Sequence, residues 1–403
     1  MIVLVLNCGS SSLKYQLLDM KSDDVYDLLA KGLVERIGME VGCLKHQAAG
    51  KEKLLKEMPI EDHTVGIRAV MDALLDKEYG CLTTLEDIEA VGHRVVHGAE
   101  EFVCSQLITD KVIAQLEKCS VFAPLHNPAN ILGIKAVTAV LPTVPQVGVF
   151  DTAFHQTMPP YAYMYALPYE YYEKYGIRRY GFHGTSHRFV TLATAEFLGK
   201  DVKDVNMISC HLGNGCSMAA VKNGKVIDTT MGLTPLEGLM MGTRSGDMDP
   251  AAVLRLVDLG KTAAEVDTIL NKKSGLLGVN GIGSGDMRDT LAAAESGNEQ
   301  ADLAVKMFVR RIVKYIGAYF TLIGNCDCIS FTGGIGEFSV PIRKKIMEQL
   351  GALGLKLDEE RNAACFGKAG VISTDDSSWK AIVMPTNEEL MIARDVVSTL
   401  KLK

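Results

Sequence analysis

The chain has 403 residues, of which 47% are hydrophobic and 23% are charged, and its formal net charge is −7. This length predicts two domains, because a single hydrophobic core rarely grows beyond about 250–300 residues. The composition excludes an intrinsically disordered chain, and the negative charge argues against a general nucleic-acid binder, whose surface is usually basic.

The cysteines and the lengths of the apolar runs indicate where in the cell the protein is located. The ten cysteines occur singly, apart from Cys326 and Cys328, without the spacing of a zinc site or the density of a disulfide framework. We therefore expect reduced and mostly buried thiols. The N-terminus has too short an apolar run for a signal peptide, and no stretch reaches the roughly 18 apolar residues of a membrane span. A cytoplasmic protein without membrane association is predicted.

The first third of the chain predicts a β-meander followed by alternating helices and strands. Residues 2–6 are aliphatic, residues 7–12 form a polar turn, and residues 13–18 again favour a strand. Helical spacing follows at residues 64–75, and buried strands are predicted at residues 90–95 and 146–150. This alternation is typical of an α/β architecture.

The strand–turn–strand pattern returns later in the chain. The Gly213-Asn214-Gly215 turn separates two apolar runs, and Asn223-Gly224 is a hairpin signal. Three strands are predicted here, at residues 207–212, 217–221 and 225–229. The repeat is one of pattern more than of residues, and it predicts two related domains with a boundary near Phe150.

Helices are predicted around and after this second meander, at residues 186–198 and 299–322. The apolar face of the longer helix is predicted to include Leu303 and Met307, and the helix leads into a strand at residues 328–332. Asp249 before Pro250 indicates a helix N-cap. Thr386 and Glu389 have the spacing of a capping box, which predicts a last helix.

Three glycine-containing or serine-rich turns stand at predicted strand ends. They are residues 7–14, 211–215 and 333–337, the last before a helix that begins near Val340. The first is not a Walker A motif, because it lacks the G-K-[ST] ending and a strand follows it. Each turn alone could simply reverse the chain. Together, over both domains, they favour a nucleotide lying across a cleft.

Five motifs, in this order along nearly the whole chain, resemble the acetate kinase family. They are Asn7-Cys8-Gly9-Ser10-Ser11-Ser12-Leu13-Lys14, Gly92-His93-Arg94-Val95-Val96-His97-Gly98, Phe150-Asp151-Thr152-Ala153-Phe154-His155, Gly181-Phe182-His183-Gly184-Thr185-Ser186-His187 and Met241-Gly242-Thr243-Arg244. The sequence departs from the family in Cys8, where Ala is usual, and in Phe338, where Asn is usual.

The resemblance implies an α/β fold of two duplicated actin-like ATPase (ribonuclease H-like) domains flanking an ATP cleft. Residues 1–150, completed by a C-terminal helix 386–403, would be the acetate and magnesium side, and residues 151–385 the nucleotide-binding domain. The implied reaction is reversible, direct in-line transfer of the ATP γ-phosphoryl group to acetate, giving acetyl phosphate and ADP. Mg²⁺, which Mn²⁺ could replace, and a homodimer are also implied.

The resemblance further implies a role for individual residues. Asp151, Arg244 and His183 would be catalytic, Arg94 would bind the acetate carboxylate, and Asn7 and Glu388 would hold magnesium. Val96, Leu125, Phe182 and Pro235 would line the methyl pocket. The ATP contacts would be Lys14, His211, Leu212, Gly213, Asn214, Gly215, Asp286, Met287, Arg288, Gly334, Ile335, Gly336, Glu337 and Phe338.

The chemistry agrees with these residue types. A carboxylate whose pKa is close to that of Asp or Glu, about 4, is already ionised at neutral pH, so no general base is needed. Catalysis then consists of positioning and of charge neutralisation, which suits arginines, a histidine and Mg²⁺. Asp151 is accordingly interpreted as a group that orients magnesium or its waters. A propionate or short-chain fatty acid kinase, and more distantly an actin-like or chaperone-like nucleotide clamp, are the alternatives.

Overall fold

The computed structural model describes residues 1–22, 25–124 and 126–401. The chain forms two compact units, Met1–Phe154 with Asn387–Lys403 (unit 1) and His155–Thr386 (unit 2). Within the described residues, no helix is both long and apolar enough to cross a membrane. All ten cysteines are free thiols, and eight of them are buried, as the sequence predicts.

Unit 1 is built around a mixed β-sheet. Its strands are β1 (Ile2–Cys8), β2 (Ser12–Met20), β3 (Tyr26–Glu35), β4 (Gly42–Ala48), β5 (Leu54–Met58), β6 (Ala90–Val95), β7 (Gln106–Leu107) and β8 (Gln146–Phe150). They lie in the order β5-β4-β3-β2-β1-β6-β8-β7. Strands β1 to β5 pair antiparallel, whereas β6 pairs parallel with both β1 and β8. The central strands β1, β6 and β8 are mostly buried, because helices cover both faces of this part of the sheet.

The helices of unit 1 are α1 (His63–Leu75), α2 (Asp110–Cys119), α3 (Asn127–Val140) and α15 (Glu388–Lys401). Val91 of β6 belongs to the core cluster that also contains Val70 of α1 and Val137 of α3. A Cβ built on the next residue, Gly92, would lie on the opposite side of the sheet, next to Ile392 of α15. The C-terminal helix therefore covers the face of this sheet that α1 and α3 leave open.

Unit 2 repeats the central part of this sheet. Its strands are β9 (Met207–Leu212), β10 (Cys216–Lys222), β11 (Lys225–Thr229), β12 (Cys328–Thr332), β13 (Gly370–Val371) and β14 (Lys380–Val383), in the order β11-β10-β9-β12-β14-β13. Antiparallel β11-β10-β9 followed by parallel β12 and β14 matches antiparallel β3-β2-β1 followed by parallel β6 and β8. The predicted α/β fold with two related halves is thus confirmed.

The helices of unit 2 surround its sheet. They are α4 (Pro160–Tyr163), α5 (Glu170–Tyr175), α6 (Gly184–Phe197), α7 (Pro250–Asp258), α8 (Ala263–Lys272), α9 (Gly275–Val279), α10 (Met287–Glu295), α11 (Glu299–Ile323), α12 (Gly333–Phe338), α13 (Val340–Met347) and α14 (Glu359–Ala364). Asp249 caps α7 by accepting a hydrogen bond from the Ala251 N–H, as predicted.

Three local predictions are wrong. Leu303 and Met307 of α11 are exposed rather than in the core. Residues 333–337 form the helix α12 instead of an open turn. The predicted capping box of α15 is absent: Asn387 Oδ1 accepts from the Leu390 N–H at 3.0 Å, while the Glu389 carboxylate binds Lys14. Glu389 therefore pairs with Lys14 of strand β2, which is distant in sequence, and does not form the local cap.

The close contact between Gly92 and α15 gives a stability prediction. An Ala side chain at position 92 would place its Cβ 2.6 Å from Ile392 Cγ2 and 2.8 Å from Val396 Cγ2. We expect Gly92→Ala to lower the free energy of unfolding by about 1–3 kcal/mol, measured by urea denaturation followed by circular dichroism. The control is Gly317→Ala in α11, where the added Cβ meets nothing within 4 Å. That change should stabilise by up to about 1 kcal/mol. If Gly92→Ala left the free energy of unfolding unchanged, α15 would not be packed tightly against this strand.

Candidate active site

Charged side chains meet where the parallel strands of unit 1 end. Arg94 lies near the end of β6, and Asp151 directly follows β8. Arg94 Nε donates to Asp151 Oδ1 at 3.2 Å and Nη2 donates to Oδ2 at 2.5 Å, while Nη1 donates to Asn7 Oδ1 at 3.3 Å. The side chain of Asp151 is 0% exposed and that of Arg94 is 20% exposed. These three hydrogen bonds use three of the five N–H groups of the guanidinium, so one N–H group on Nη1 and one on Nη2 can still donate to a further anion.

The first turn of α15 brings more negative charge to this cluster. Glu388 Oε2 lies 3.9 Å from Arg94 Nε, and Glu389 forms an ion pair with Lys14, whose side chain is 56% exposed. Burial raises the pKa of Glu388 to about 7; Arg94 opposes this rise, and the negative charges of Asp151 and Glu389 add to it. Burial alone would lower the pKa of Arg94, but Asp151 and Glu388 raise it. Three carboxylates here face two cations.

This donor set fits Mg²⁺. Among the described residues, no three His, Cys, Asp or Glu side chains are arranged to hold a metal ion. Mg²⁺ usually takes only one or two protein oxygens and completes its shell with water and phosphate oxygens. The Asn7 amide and the Glu388 carboxylate supply such oxygens. A divalent cation would also offset the negative charges of Asp151 and Glu389, which disfavour ionisation of Glu388 in addition to its burial.

Unit 2 has a pocket of about 790 Å³ beside the turn between β9 and β10. Its walls come from three chain segments named in the sequence analysis, with further residues from α10, α13 and the loop after α14. The lining residues are Gly213, Asn214, Gly285, Asp286, Met287, Arg288, Leu291, Ala292, Glu295, Gly334, Ile335, Phe338, Ser339, Pro341 and Phe366. The pocket is mostly apolar with a few polar groups at its edge, which is typical of a small-molecule site.

Other residues of the predicted nucleotide contacts lie outside this lining. Leu212 is fully buried, and Gly215 lies across the turn from the pocket residues. Glu337 is buried, and its Oε1 accepts from the Gly333 N–H at 2.8 Å and the Thr386 N–H at 3.1 Å. Its carboxylate thus binds the backbone of two chain segments that end at the same edge of the sheet.

Phe338 and Phe366 form an aromatic pair in the pocket wall. Their ring centroids are 5.2 Å apart in an edge-to-face arrangement, and both side chains are largely exposed. Arg343, which is fully buried, holds the backbone next to both rings, since its Nη1 donates to the Glu337 carbonyl at 2.8 Å and its Nη2 to the Cys365 carbonyl at 3.1 Å. Burial lowers the pKa of Arg343 to about 10, so it stays charged at neutral pH.

His183 and Arg244 converge on the other side of the same turn. A Cβ built on Gly215 would lie 3.5 Å from both Arg244 Nη1 and His183 Nε2. Arg244 Nη1 donates to the Pro235 carbonyl at 3.4 Å, and within the described residues Arg244 forms no ion pair. Burial lowers the pKa of Arg244. A guanidinium that is partly desolvated without a carboxylate is an anion-binding group.

The conformation of His183 is unusual. Its φ of 58° and ψ of 25° lie in the left-handed region, directly before α6. A non-glycine residue in this region carries strain, which is concentrated at functional sites. The ring stacks on His211 with centroids 4.3 Å apart, and its Nδ1 lies 2.9 Å from Ser217 Oγ. These contacts hold the ring while the backbone is strained.

The residues of the predicted methyl pocket are divided between the two units. Val96 follows β6 in unit 1 and is 5% exposed, and Phe182 precedes His183 in unit 2 and is 2% exposed. Pro235, also in unit 2, is the carbonyl partner of Arg244. Leu125 lies outside the described residues. Each described member is apolar. Val96 lies two residues after Arg94, Phe182 directly precedes His183, and the Pro235 carbonyl accepts a hydrogen bond from Arg244.

Sequence reasoning missed several residues of these sites. Phe366 lies between Cys365 and Gly367 with no motif around it, and only its contact with Phe338 reveals it. Ser217 reads as an ordinary strand residue, and its contact with His183 depends on the packing of α6 on β9 and β10. A small polar residue within an otherwise apolar strand is the one signal that could have identified Ser217.

The model of the acetokinase family matches residues 2–394. An acetate kinase from Clostridium novyi is 55% identical over 396 residues, 98% of this chain and 97% of that protein. The crystal structure of an acetate kinase from Porphyromonas gingivalis gives a TM-score of 0.94 at 48% identity and covers 99% of both chains. A propionate kinase from Francisella tularensis gives 0.92 at 42% identity, covering 98% of this chain and 99% of that one.

The buried Arg343 should support the pocket wall. Arg343→Met would leave backbone carbonyls of α12 and α14 without donors, so we expect the free energy of unfolding to fall by on the order of 3 kcal/mol or more. Trp379, the single tryptophan, lies in unit 2 and reports its unfolding by fluorescence. The control Arg361→Met removes an exposed arginine bound to Asp375, and its effect should be much smaller. Equal effects of the two variants would show that Arg343 does not hold the wall.

Proposed function

Because the chain belongs to the acetokinase family, we propose that it transfers the γ-phosphoryl group of ATP reversibly to acetate, forming acetyl phosphate and ADP. The proposal rests on two features of unit 2 that lie next to each other: the pocket, and the pair formed by His183 and Arg244. The pocket beside Gly213 and Asn214 accepts the nucleoside, and the next residue, Gly215, adjoins His183 and Arg244. A nucleotide in this pocket would direct its phosphates along the turn toward those two side chains.

The reaction requires no proton transfer. An oxygen of the acetate carboxylate forms a bond to the γ-phosphorus while the bond to the β,γ-bridging oxygen breaks, and ADP leaves with that electron pair. The obstacle is repulsion between an anion and a polyanion, so positioned positive charge supplies most of the catalysis. Arg244 and the His183 ring are assigned to the oxygens of the transferring group, and their desolvation strengthens those contacts.

Unit 1 is proposed to bind acetate. The Nη1–Nη2 edge of Arg94 can hold a planar carboxylate through two parallel hydrogen bonds, which lysine could not reproduce. Asp151 keeps the guanidinium in one orientation by accepting hydrogen bonds from Nε and from Nη2. Val96, which follows Arg94 closely in sequence and is apolar, would meet the methyl group. The preformed Arg94–Asp151 pair thereby lowers the entropic cost of gripping the substrate.

Mg²⁺ would be held by Asn7 and Glu388, with Asp151 orienting its waters. When bound, the ion neutralises charge on the nucleotide phosphates. Lys14 is assigned to the phosphate side of ATP, for which it would exchange its exposed contact with Glu389. Asp286 caps α10 and binds Arg288 at the pocket rim, where the two side chains are assigned to the outer part of the nucleotide. A homodimer and a cytoplasmic location remain predictions from the sequence.

The similarity to a propionate kinase supports a second substrate. One methylene contributes about 0.8 kcal/mol of burial, roughly a fourfold effect, so the two acids differ mainly through pocket volume. Comparison of kcat/KM for acetate, propionate and butyrate, with ADP formation measured in a coupled assay, tests the proposal directly. Nucleotide hydrolysis that does not depend on any carboxylic acid would overturn it and favour a nucleotide clamp.

Removal of Arg94 should affect acetate far more than ATP. We expect Arg94→Ala to lower kcat/KM for acetate roughly 30- to 5,000-fold, because the carboxylate loses its bidentate partner. This loss corresponds to about 2–5 kcal/mol of transition-state stabilisation. The KM for ATP should change by less than about threefold. The matched control is Arg36→Ala, which removes an exposed arginine of unit 1 paired with Glu57. Unchanged acetate kinetics in a folded Arg94→Ala protein would remove Arg94 from the substrate site.

Replacement of Asp151 tests its proposed link to magnesium. We expect Asp151→Asn to lower kcat by roughly 10²–10⁴-fold and to raise the Mg²⁺ concentration needed for half-maximal rate. Arg94→Lys is the control, because it disrupts the contact with Asp151 but leaves the carboxylate in place. If Asp151 served only to hold Arg94, both variants would lose activity with unaltered metal dependence, and the orienting role would be wrong.

A further inference from the structure

Two phenylalanines leave much of their apolar surface uncovered in the pocket of unit 2. Phe338, the last residue of α12, is 48% exposed, and Phe366, which follows α14, is 58% exposed. Both line the pocket, and their ring planes meet at 73°, so the aromatic pair leaves ring surface open to a ligand. Contact between this surface and water is unfavourable, so an apolar or aromatic ligand that covered it would be bound more tightly.

The backbone that carries the aromatic pair is held together by hydrogen bonds. The Gly367 N–H, directly after Phe366, donates to the carbonyl of Glu337, directly before Phe338, at 3.0 Å. Arg343 also joins the two segments, since its Nη1 donates to the Gly336 carbonyl at 2.9 Å and its Nη2 to the Asn362 carbonyl at 2.8 Å. The two segments cannot separate without breaking these bonds, so the aromatic pair is in place before a ligand binds.

Gly367 provides the space that the Phe338 ring occupies. Its φ is 64°, and a Cβ at this position would lie 2.4 Å from Phe338 Cε1 and 3.0 Å from Phe338 Cζ. Any other residue would therefore displace the ring, in addition to the strain of the left-handed backbone conformation. The Phe338 ring lies directly against the backbone of residue 367, and glycine there permits this position.

The direction of α12 relates the aromatic pair to the turn between β9 and β10. This helix begins at Gly333, where a Cβ would lie 2.9 Å from the Leu212 carbonyl oxygen at the start of the turn. Gly334 and Phe338 both line the pocket, and their spacing of four residues places them on the same face of the helix, about 6 Å apart along its axis. A Cβ on Gly334 would meet nothing among the described residues within 4 Å, so the pocket is open there. A nucleotide whose phosphates follow the turn would extend its base along α12 toward Phe338.

The chemistry of the two rings determines what they can recognise. A nucleobase has flat π-faces that stack on aromatic side chains, whatever the hydrogen-bonding groups at its edge. Phenylalanine carries no polar atom, so the aromatic pair responds to the area of the base. A purine has two fused rings and covers more of this surface than the single ring of a pyrimidine.

We propose that Phe338 and Phe366 bind the nucleobase of the phosphoryl donor and select purine over pyrimidine nucleotides through the area of the base. The inference rests on the proposed function, because that function makes the nucleotide in this pocket the donor. Nucleotide binding itself is measured without acetate, so the two can fail separately.

The direct test is calorimetric titration of the full-length protein with ADP and with CDP, each in the presence of Mg²⁺. We expect the wild type to bind ADP roughly 5- to 10-fold more tightly than CDP, because of the larger apolar surface of the purine. Phe338→Ala and Phe366→Ala should each weaken ADP binding roughly 5- to 150-fold and reduce the preference for ADP over CDP to less than about twofold. Phe338→Tyr, which retains the ring, should stay within about threefold of the wild type.

The matched control is Phe197→Ala, which removes a phenylalanine of α6 that is 44% exposed and lies outside the pocket lining. Its ADP and CDP affinities should equal those of the wild type. Unchanged ADP binding in Phe338→Ala and Phe366→Ala would overturn the proposal. An equal loss for ADP and CDP would overturn it as well, because the rings would then support the pocket wall without contacting the base.

Kinetics provide the second arm of the test. In the coupled assay, Phe338→Ala should raise the KM for ATP by about the factor found for ADP binding, with kcat and the KM for acetate changed less than about threefold, because the base does not react. A matching rise in the KM for acetate would contradict the assignment. A wild type that bound ADP but did not phosphorylate acetate would refute the proposed function, while the titrations would still decide the role of the aromatic pair.

Discussion

The two-point contact between Arg94 and Asp151 is the interaction on which the charged half of the proposed site depends. A carboxylate with no exposed surface is stable only when it is paired, and Arg94 supplies two of its N–H groups to Asp151 across the ends of β6 and β8. This contact fixes the plane of the guanidinium. The orientation of its remaining edge, and the surplus of negative charge around Glu388, both follow from it.

The guanidinium group of Arg244 has surroundings that differ from those of Arg94. Arg94 is surrounded by carboxylates, whereas Arg244 meets a carbonyl oxygen and the sulfur of Met241 and forms no ion pair within the described residues. The burial of an unpaired charge costs free energy, and that cost is recovered only when an anion binds. Arg94 is therefore ready to orient a small carboxylate, and Arg244 gains most from a group as highly charged as a phosphoryl.

The sequence predicts those features that depend on neighbours along the chain. Residues 90–95 and 146–150 are mostly apolar, because helices cover both faces of a parallel sheet, and the strands are found at those positions. The cap at Asp249 is equally local. Contacts between distant segments could not be predicted in this way. The pairing of Glu389 with Lys14, of Phe366 with Phe338 and of Ser217 with His183 arises only when helices and strands pack.

The repeated sheet explains why each proposed site lies where it does. By position and direction β1, β6 and β8 correspond to β9, β12 and β14. In unit 1 the ends of these strands carry the side chains Asn7, Arg94 and Asp151. In unit 2 two of the three equivalent ends carry glycine, since β9 leads into Gly213 and β12 into Gly333, whose φ is 75° and whose Cβ would lie 2.9 Å from the Leu212 carbonyl oxygen. Side chains suit a small carboxylate, which needs charge at one point. Glycine, as at Gly213, lets a nucleotide approach the backbone closely. We therefore propose that one topology provides two kinds of anion site, distinguished by side chains at the strand ends of unit 1 and by glycine after β9 and β12 in unit 2.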